Sequence, residues 1–247
     1  MEHETAPEVR LSLLRGFQAR VDQRPITLVW SAQRLVAFLA LTDRPLTRAY
    51  VAGMLWPETT AIRASANLRS SLWRAHRSCS FLIAASSQQL ALAVGVVVDV
   101  RAAVACAQRL LDRSAHCEDE DLGASARADL SADLLPDWYD DDWVVAEREQ
   151  FHQLRLHALE TMCERLTAAG RYGEAVDAGL AAVRAEPLRE SAHQALVKAH
   201  LAEGNRLEAV RQYERCRCLL LDELGLEPST ALRTLLPTPA RSGERAG

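Results

Sequence analysis

The chain has 247 residues, 49% hydrophobic and 25% charged, with a formal net charge of −4; that is the composition of a globular chain with room for one large or two modest domains. Its N-terminus is acidic, and its longest apolar run, Leu90–Val98, has nine residues. Neither a signal peptide nor a membrane span is therefore expected, and residence in the cytoplasm follows. The six cysteines (79, 106, 117, 163, 216 and 218) form no CxxC pair, and Cys216-Arg-Cys218, His116-Cys117 and His152/His157 lack a ligand set. No metal site and no cofactor is expected, and the cysteines read as small hydrophobes or reduced thiols.

A net negative charge argues against a nucleic-acid partner, but the distribution of charge points the other way. Residues 1–100 hold eleven arginines against seven acids, while residues 101–247 hold eighteen basic residues against twenty-six acidic ones. A mildly basic front and an acidic rear suit a two-part protein whose front meets a polyanion. Lys198 is the only lysine, so arginine usage is general in this chain and each arginine counts for less.

Residues 1–8 are polar and read as disordered. Val9–Leu14 alternates, Arg15-Gly16 turns into Phe17–Val21, and Asp22–Pro25 turns before Ile26–Val29, which predicts short strands with tight turns. Ser31 is placed to cap a helix over Ala32–Leu41, and Thr47 one over Arg48–Leu55. Trp56-Pro57 stops the second, and Glu58-Thr59-Thr60 leads into an uninterrupted helical pattern over 61–78 with no acidic residue. On it Arg63, Asn67, Ser70, Arg74 and Arg77 share one stripe, while Ala61, Ser65, Leu68, Leu72 and Ala75 share the opposite side. Such a polar stripe is either a solvated helix face or a set of groups suited to base edges, since arginine pairs bidentately with guanine and asparagine with adenine. Phe81–Ala85, a Ser86-Ser87-Gln88 turn and Leu90–Val94 then form a predicted hairpin. Strands, three helices and a hairpin are the order of a winged helix, whose third helix enters the major groove, and in that position the stripe reads as a recognition face.

Beyond Asp99 the alternation ends. Val100–Arg113 is amphipathic. Residues 118–142 hold ten acids and one arginine, with Trp138, Tyr139 and Trp143 close by; they form either an acidic–aromatic contact surface or a charged loop whose aromatics fold into the core. Helices are predicted over Trp143–Ala169, Tyr172–Ala185, Leu188–Glu203 and Arg206–Leu224, with stops at Gly170, Glu186-Pro187, Gly204-Asn205 and Gly225. Glu174-Ala175-Val176 recurs 34 residues later as Glu208-Ala209-Val210, the period of tetratricopeptide repeats, although an ordinary bundle has similar helices. Ser229–Leu236 would cap the stack, and 237–247 reads as a disordered tail. The predicted fold is thus an α+β winged helix-turn-helix domain over 9–99 followed by an all-α, tetratricopeptide-like domain over 100–236.

The front segment resembles the OmpR-type DNA-binding domain of SARP (Streptomyces antibiotic regulatory protein) activators. The match is carried by Gln33-Arg34-Leu35-Val36-Ala37-Phe38-Leu39-Ala40-Leu41, Leu55-Trp56-Pro57, and Ala66-Asn67-Leu68-Arg69-Ser70-Ser71-Leu72-Trp73-Arg74. The rear is similar to the bacterial transcriptional activation domain of the same family through Leu135-Pro136-Asp137-Trp138-Tyr139-Asp140-Asp141-Asp142-Trp143, Glu147-Arg148-Glu149-Gln150-Phe151, Leu154-Arg155, Pro187-Leu188-Arg189-Glu190 and Leu224-Gly225-Leu226-Glu227-Pro228. The hairpin tip departs from the family pattern, because Ser86–Gln89 contains no Arg or Lys. The resemblance implies a non-enzymatic activator that binds double-stranded DNA as two side-by-side copies on direct repeats near the −35 region and recruits RNA polymerase holoenzyme through its sigma factor. Antibiotic or other secondary-metabolite gene clusters are the implied targets.

Arg63, Asn67, Arg69, Ser70, Ser71, Arg74 and Arg77 are the expected DNA contacts. Arg63, Asn67, Ser70 and Arg74 are the expected readers of sequence, with Arg69 nearer a flanking phosphate. The loop Trp56, Pro57, Glu58, Thr59 and Thr60 resembles the segment that related winged helices present to polymerase. A Walker A motif and a Gly-x-Ser-x-Gly elbow are absent from the sequence, so neither the ATPase module of larger relatives nor a hydrolase is expected, nor a receiver domain ahead of residue 9. A sensor whose helical repeats bind an effector or protein, with weak DNA binding, and a repressor of the same fold remain open alternatives.

Overall fold

The computed structural model describes residues 7–112, 117–139 and 141–236. Residues 1–6, the tail 237–247, His116 and Asp140 lie outside the described residues. By internal contacts the chain divides into a first unit, Met1–Ala105 with Ala132–His152, and a second unit, Cys106–Ser131 with Gln153–Gly247. Residues 132–152, which the sequence assigns to the rear domain, thus pack with the winged helix.

In the first unit, β1 (Val9–Ser12) pairs antiparallel with β2 (Gln18–Val21), and β2 with β3 (Arg24–Ile26). The predicted third strand lies later in the chain than the observed one, because the turn uses only Asp22 and Gln23, both left-handed at φ 47° and 66°. A two-residue turn of that hand matches strand twist and returns the chain at once. Pro25 is tolerated because β3 is an edge strand. Helix α1 (Trp30–Thr42) begins one residue before the predicted cap Ser31, and Val29 occupies the cap position with no side-chain bond. A two-residue strand, β4 (Leu46–Thr47), precedes α2 (Arg48–Leu55), where the Thr47 side chain accepts from the Tyr50 N–H as expected.

Helix α3 (Ala61–Ser78) follows, then β5 (Ile83–Ala85) and β6 (Gln89–Leu92), with β6 central between β4 and β5. β7 (Val97–Val98) runs parallel to β1. Next to it, the Asp99 carboxylate accepts the amides of Leu13 at 2.9 Å and Leu14 at 3.1 Å, fastening the end of β1 to the start of α4 (Asp99–Leu111).

Residues 132–152 add to this sheet and core. Leu14 bridges Leu134, and the amides of Arg15 and Leu135 donate to the carbonyls of Asp133 and Leu13, each at 2.9 Å. Arg148 donates to three carbonyls, those of Leu134, Leu135 and Trp138, at 3.0, 2.6 and 3.0 Å. Trp138 and Trp143 are buried and Tyr139 is exposed. Trp138 meets Trp30 edge-on at 4.6 Å and stacks near Phe17 at 6.0 Å, while Trp143 meets Phe38 edge-on at 5.1 Å. The aromatics of the acidic segment therefore serve the core, Tyr139 excepted.

The second unit is helical: a short 3-10 turn (Asp119–Leu122), α5 (Ala124–Leu130), the rear of α6 (Asp142–Ala168), α7 (Tyr172–Ala185), α8 (Glu190–Glu203), α9 (Arg206–Leu224) and α10 (Thr230–Arg233). Successive helices α7, α8 and α9 pack on one another. Gly170, Gly204 and Gly225 all have positive φ, the conformation with which helices stop. Ala175 and Ala209, the repeated pair, are both fully buried. Gly179 marks a close approach of side chains: a Cβ there would lie 3.1 Å from Leu196 and 3.2 Å from Cys163 Sγ. Burial pushes the Cys163 thiol up to about 12, so it stays protonated and behaves as a hydrophobe.

One buried polar chain crosses this packing. Arg215 donates to Gln212 Oε1 at 3.0 Å, Gln212 Nε2 donates to His193 Nδ1 at 2.7 Å, and His193 Nε2 donates to the Pro187 carbonyl at 2.9 Å. This sequence of donors requires neutral His193 with its proton on Nε2. Burial, followed by the charge of Arg215, holds its pKa below the ordinary histidine range.

Two stability outcomes follow from the second unit. Gly179→Val should lower the urea midpoint by an amount corresponding to about 2 kcal/mol, since neither Leu196 nor Cys163 has space to yield. Because the folded state resists protonating His193 while the unfolded chain accepts a proton near pH ~6.5, the unfolded state binds more protons as pH falls through that value and stability drops. Urea titrations followed by circular dichroism at about pH 7.5 and 5.5 should show that loss, and His193→Gln should remove its share of it.

Candidate nucleic-acid interface

Helix α3 is 18 residues long, about 27 Å at helical rise. Thr60 caps its start by accepting the Arg63 N–H at 3.4 Å, and His76 and Arg77 occupy its last turn, where cations suit the helix dipole. The helix packs on α1 and α2 through Ala64, Leu68, Ser71 and Ala75. That stripe is rotated by roughly 50°, half of one residue step, from the predicted one. Leu68 and Ala75 are common to both, Ser65 and Leu72 are only half-buried, and Ala61 is exposed.

The rotation decides which side chains can reach a partner. Arg63, Arg69, Ser70, Arg74 and Arg77 are exposed, and Asn67 sits half-buried at the edge of the packed face. Ser71, expected among the DNA contacts, is 2% exposed; its small side chain fits between packed helices and cannot contact a groove. The sequence puts Trp73 on a flank, yet with Ile62 and Arg69 it occupies the outward centre of the helix, and Ile62 and Trp73 are 85% and 60% exposed. The Arg77 guanidinium lies 5.3 Å from the Trp73 ring centre and restrains both side chains.

Electrostatically the arginines of this face differ from those that tie the fold together. Arg34, Arg101, Arg109, Arg171, Arg189 and Arg217 each pair with a carboxylate. Among the described residues none of Arg63, Arg69, Arg74 and Arg77 does so. Four guanidinium groups thus project from one helix without a neutralising acid, an arrangement suited to phosphate and base-edge acceptors.

The hairpin that follows α3 in the chain has the uncharged tip expected from the sequence. Its Ser86 hydroxyl accepts the amides of Gln88 and Gln89 at 3.2 and 2.9 Å, so it is spent on the turn. A cation nevertheless reaches the tip: Arg48 donates its backbone N–H to the Gln88 carbonyl and its Nε–H to the Ser86 carbonyl, each at 3.0 Å. Sequence reasoning missed Arg48 because its position depends on the pairing of Leu46 with Leu90 and of Thr47 with Gln89; the nearest clue was its place directly after the Thr47 cap.

The loop Trp56–Thr60 exposes Pro57, Glu58 and Thr60 and is closed by Thr59, whose N–H and hydroxyl both donate to the Trp56 carbonyl. Its entry is fixed by Arg34. The guanidinium donates through Nη2 to the Leu55 carbonyl at 2.8 Å, lies 6.0 Å from the Trp56 ring centre, and binds Asp141 through Nε at 2.9 and 3.0 Å and also through Nη2. Trp143 Nε1 donates to the same Asp141 carboxylate at 3.1 Å.

The family model "Bacterial transcriptional activator domain" matches residues 97–237. Regulatory protein AfsR of Streptomyces coelicolor is 27% identical over 242 residues, covering 95% of this chain and 24% of that protein. AfsR of Streptomyces griseus is 33% identical over 98 residues, covering 40% of this chain and 10% of that protein. The chain therefore spans about a quarter or less of the length of these relatives. Among solved structures, Mycobacterium tuberculosis EmbR, determined in complex with a low affinity phosphopeptide, superposes with a TM-score of 0.65 at 21% identity, covering 93% of this chain and 64% of that one; at that identity the likeness is one of fold.

The Arg34–Asp141 pair carries a stability outcome that is readily isolated. All five tryptophans, Trp30, Trp56, Trp73, Trp138 and Trp143, belong to the first unit, so selectively excited tryptophan fluorescence reports that unit alone. Asp141→Ala should cost about 3 kcal/mol in fluorescence-monitored urea unfolding, because it strands a largely buried guanidinium, and Arg34→Met combined with Asp141→Leu should recover most of the loss.

Proposed function

We propose that this chain, which belongs to the bacterial transcriptional activator domain family, binds double-stranded DNA through α3 and activates transcription by recruiting RNA polymerase. The observation that carries the reading is the exposed face of α3, with four guanidinium groups lacking carboxylate partners opposite a tightly packed stripe. Arg63, Ser70 and Arg74 read base edges with Asn67 at the margin, Arg69 faces the groove from the outward centre of the helix and not a flanking phosphate, and Arg77 holds a phosphate. Residues 9–99 act as the DNA-binding domain and 100–236 as the transcriptional activation domain.

One α3 covers only a few base pairs, so two copies bind side by side on direct repeats beside the −35 region. The exposed Pro57, Glu58 and Thr60 of the loop before α3 meet the polymerase holoenzyme, its sigma factor included. The names of the AfsR relatives, both regulatory proteins, support a regulatory role, and genes for secondary metabolism are the proposed targets. The protein works at the nucleoid, and no described helix is long and apolar enough to cross a membrane.

Binding to a promoter duplex by fluorescence anisotropy tests this. Arg74→Ala should weaken binding to the specific site by about ten- to a hundredfold, the worth of a bidentate base contact, and binding to scrambled DNA far less. Log affinity should fall linearly with log salt, by about 0.9 per phosphate neutralised. Equal losses on both duplexes would remove the base-reading role of Arg74, and a flat salt response would remove DNA binding itself.

A further inference from the structure

Along the outward centre of α3 run Ile62, Ala66, Arg69 and Trp73, at spacings of four, three and four residues. Three of the four are apolar, and Ile62 and Trp73 are 85% and 60% exposed. Cations flank this line on one side at Arg63 and Arg74 and continue it at Arg77. A large apolar side chain held in water on a helix with no acidic residue is best explained by what covers it. Trp73 is moreover held in place by the Arg77 guanidinium at 5.3 Å, so its ring is ordered before any partner arrives and loses little freedom on contact.

We propose that Ile62 and Trp73 are specificity-determining contacts that read the C5-methyl groups of two thymines in the major groove. This rests on the DNA-binding reading above and goes beyond it by naming what the apolar centre of the helix selects. The occupant is duplex DNA and not a protein, because the line is bordered by guanidinium groups that no carboxylate of this chain neutralises among the described residues. In the major groove the thymine methyl is the one apolar group on the base edges, so an apolar side chain directed at the groove floor favours thymine over the other three bases. The two residues are eleven apart on α3, about 16 Å along the helix axis, which matches about five base-pair steps. The preferred site should hold two thymines at about that separation, with the guanines read by arginine beside or between them.

The test begins by selecting sites for the full chain from a random duplex pool, and then replaces each thymine of the selected site by deoxyuridine, which removes the methyl and nothing else. Two positions about five steps apart should each lose about fourfold in affinity, the worth of one buried methyl. Ile62→Ala should abolish the thymine–uracil difference at one position and Trp73→Ala at the other, with the salt slope unchanged. Both residues are exposed, so circular dichroism should show both variants folded, and the uracil comparison on the unaltered protein stands without them. Equal affinity for thymine and uracil sites overturns the proposal, as does an unchanged thymine–uracil ratio in both variants. An altered cooperativity on tandem sites with no change in that ratio also overturns it and assigns the apolar line to contact between copies. Failure to enrich any sequence overturns the DNA-binding reading instead.

Discussion

Much of the first unit depends on one largely buried charge. Arg34 on α1 would be costly to bury alone, and it is neutralised by Asp141, a residue more than a hundred positions away. The same guanidinium holds the Leu55 carbonyl and lies against Trp56, so the chain entering the loop before α3 is placed by the group that anchors residues 132–152. Asp141 in turn receives the Trp143 indole N–H, which orients the ring that packs edge-on against Phe38. Removing either charge therefore disturbs both the entry to α3 and the aromatic core.

This explains why the family match beginning at 97 and the compact unit ending at 105 and resuming at 132 do not share a boundary. Residues 132–152 belong in sequence to the activation domain and in packing to the winged helix. Their motifs have direct physical meaning. Leu134 and Leu135 extend the hydrogen bonding of β1, and Arg148 satisfies three carbonyls that this irregular segment would otherwise leave without donors. The family pattern made these residues recognisable; their roles emerge only when positions far apart in the chain are brought together.

Legibility followed the range of the determining interaction. The stops at Gly170, Gly204 and Gly225 and the Thr47 cap are dictated within a few residues, and the sequence alone predicts them. Strands β4 and β7, of two residues each, exist because of partners in distant segments and leave no periodic trace. The sequence predicts helix α3 with the right ends but turned by half a residue. Hydrophobicity nominates Leu72 for the core, whereas close helix packing selects the small Ala64 and Ser71. That difference removed Ser71 from the interface, left Asn67 half-buried, and brought Ile62 and Trp73 to the front. The Arg215–Gln212–His193 chain was invisible for the same reason: His193 and Gln212 lie on different helices, nineteen residues apart.

A chain with 29 basic residues and a single lysine gives an arginine little meaning by its identity alone. Its pairing state restores that meaning. Arginines such as Arg34, Arg109 and Arg189 are each tied to a carboxylate and serve the fold, whereas those of α3 have no such partner among the described residues. Arg48 shows the same principle at the hairpin, where a tip without basic residues acquires a guanidinium from the start of α2. On the DNA-binding proposal, the α3 cations that meet phosphates supply attraction that is indifferent to sequence and sensitive to salt. On the same proposal, discrimination comes from groups that distinguish one base edge from another: Arg63, Ser70 and Arg74, and the apolar side chains at the outward centre of the helix.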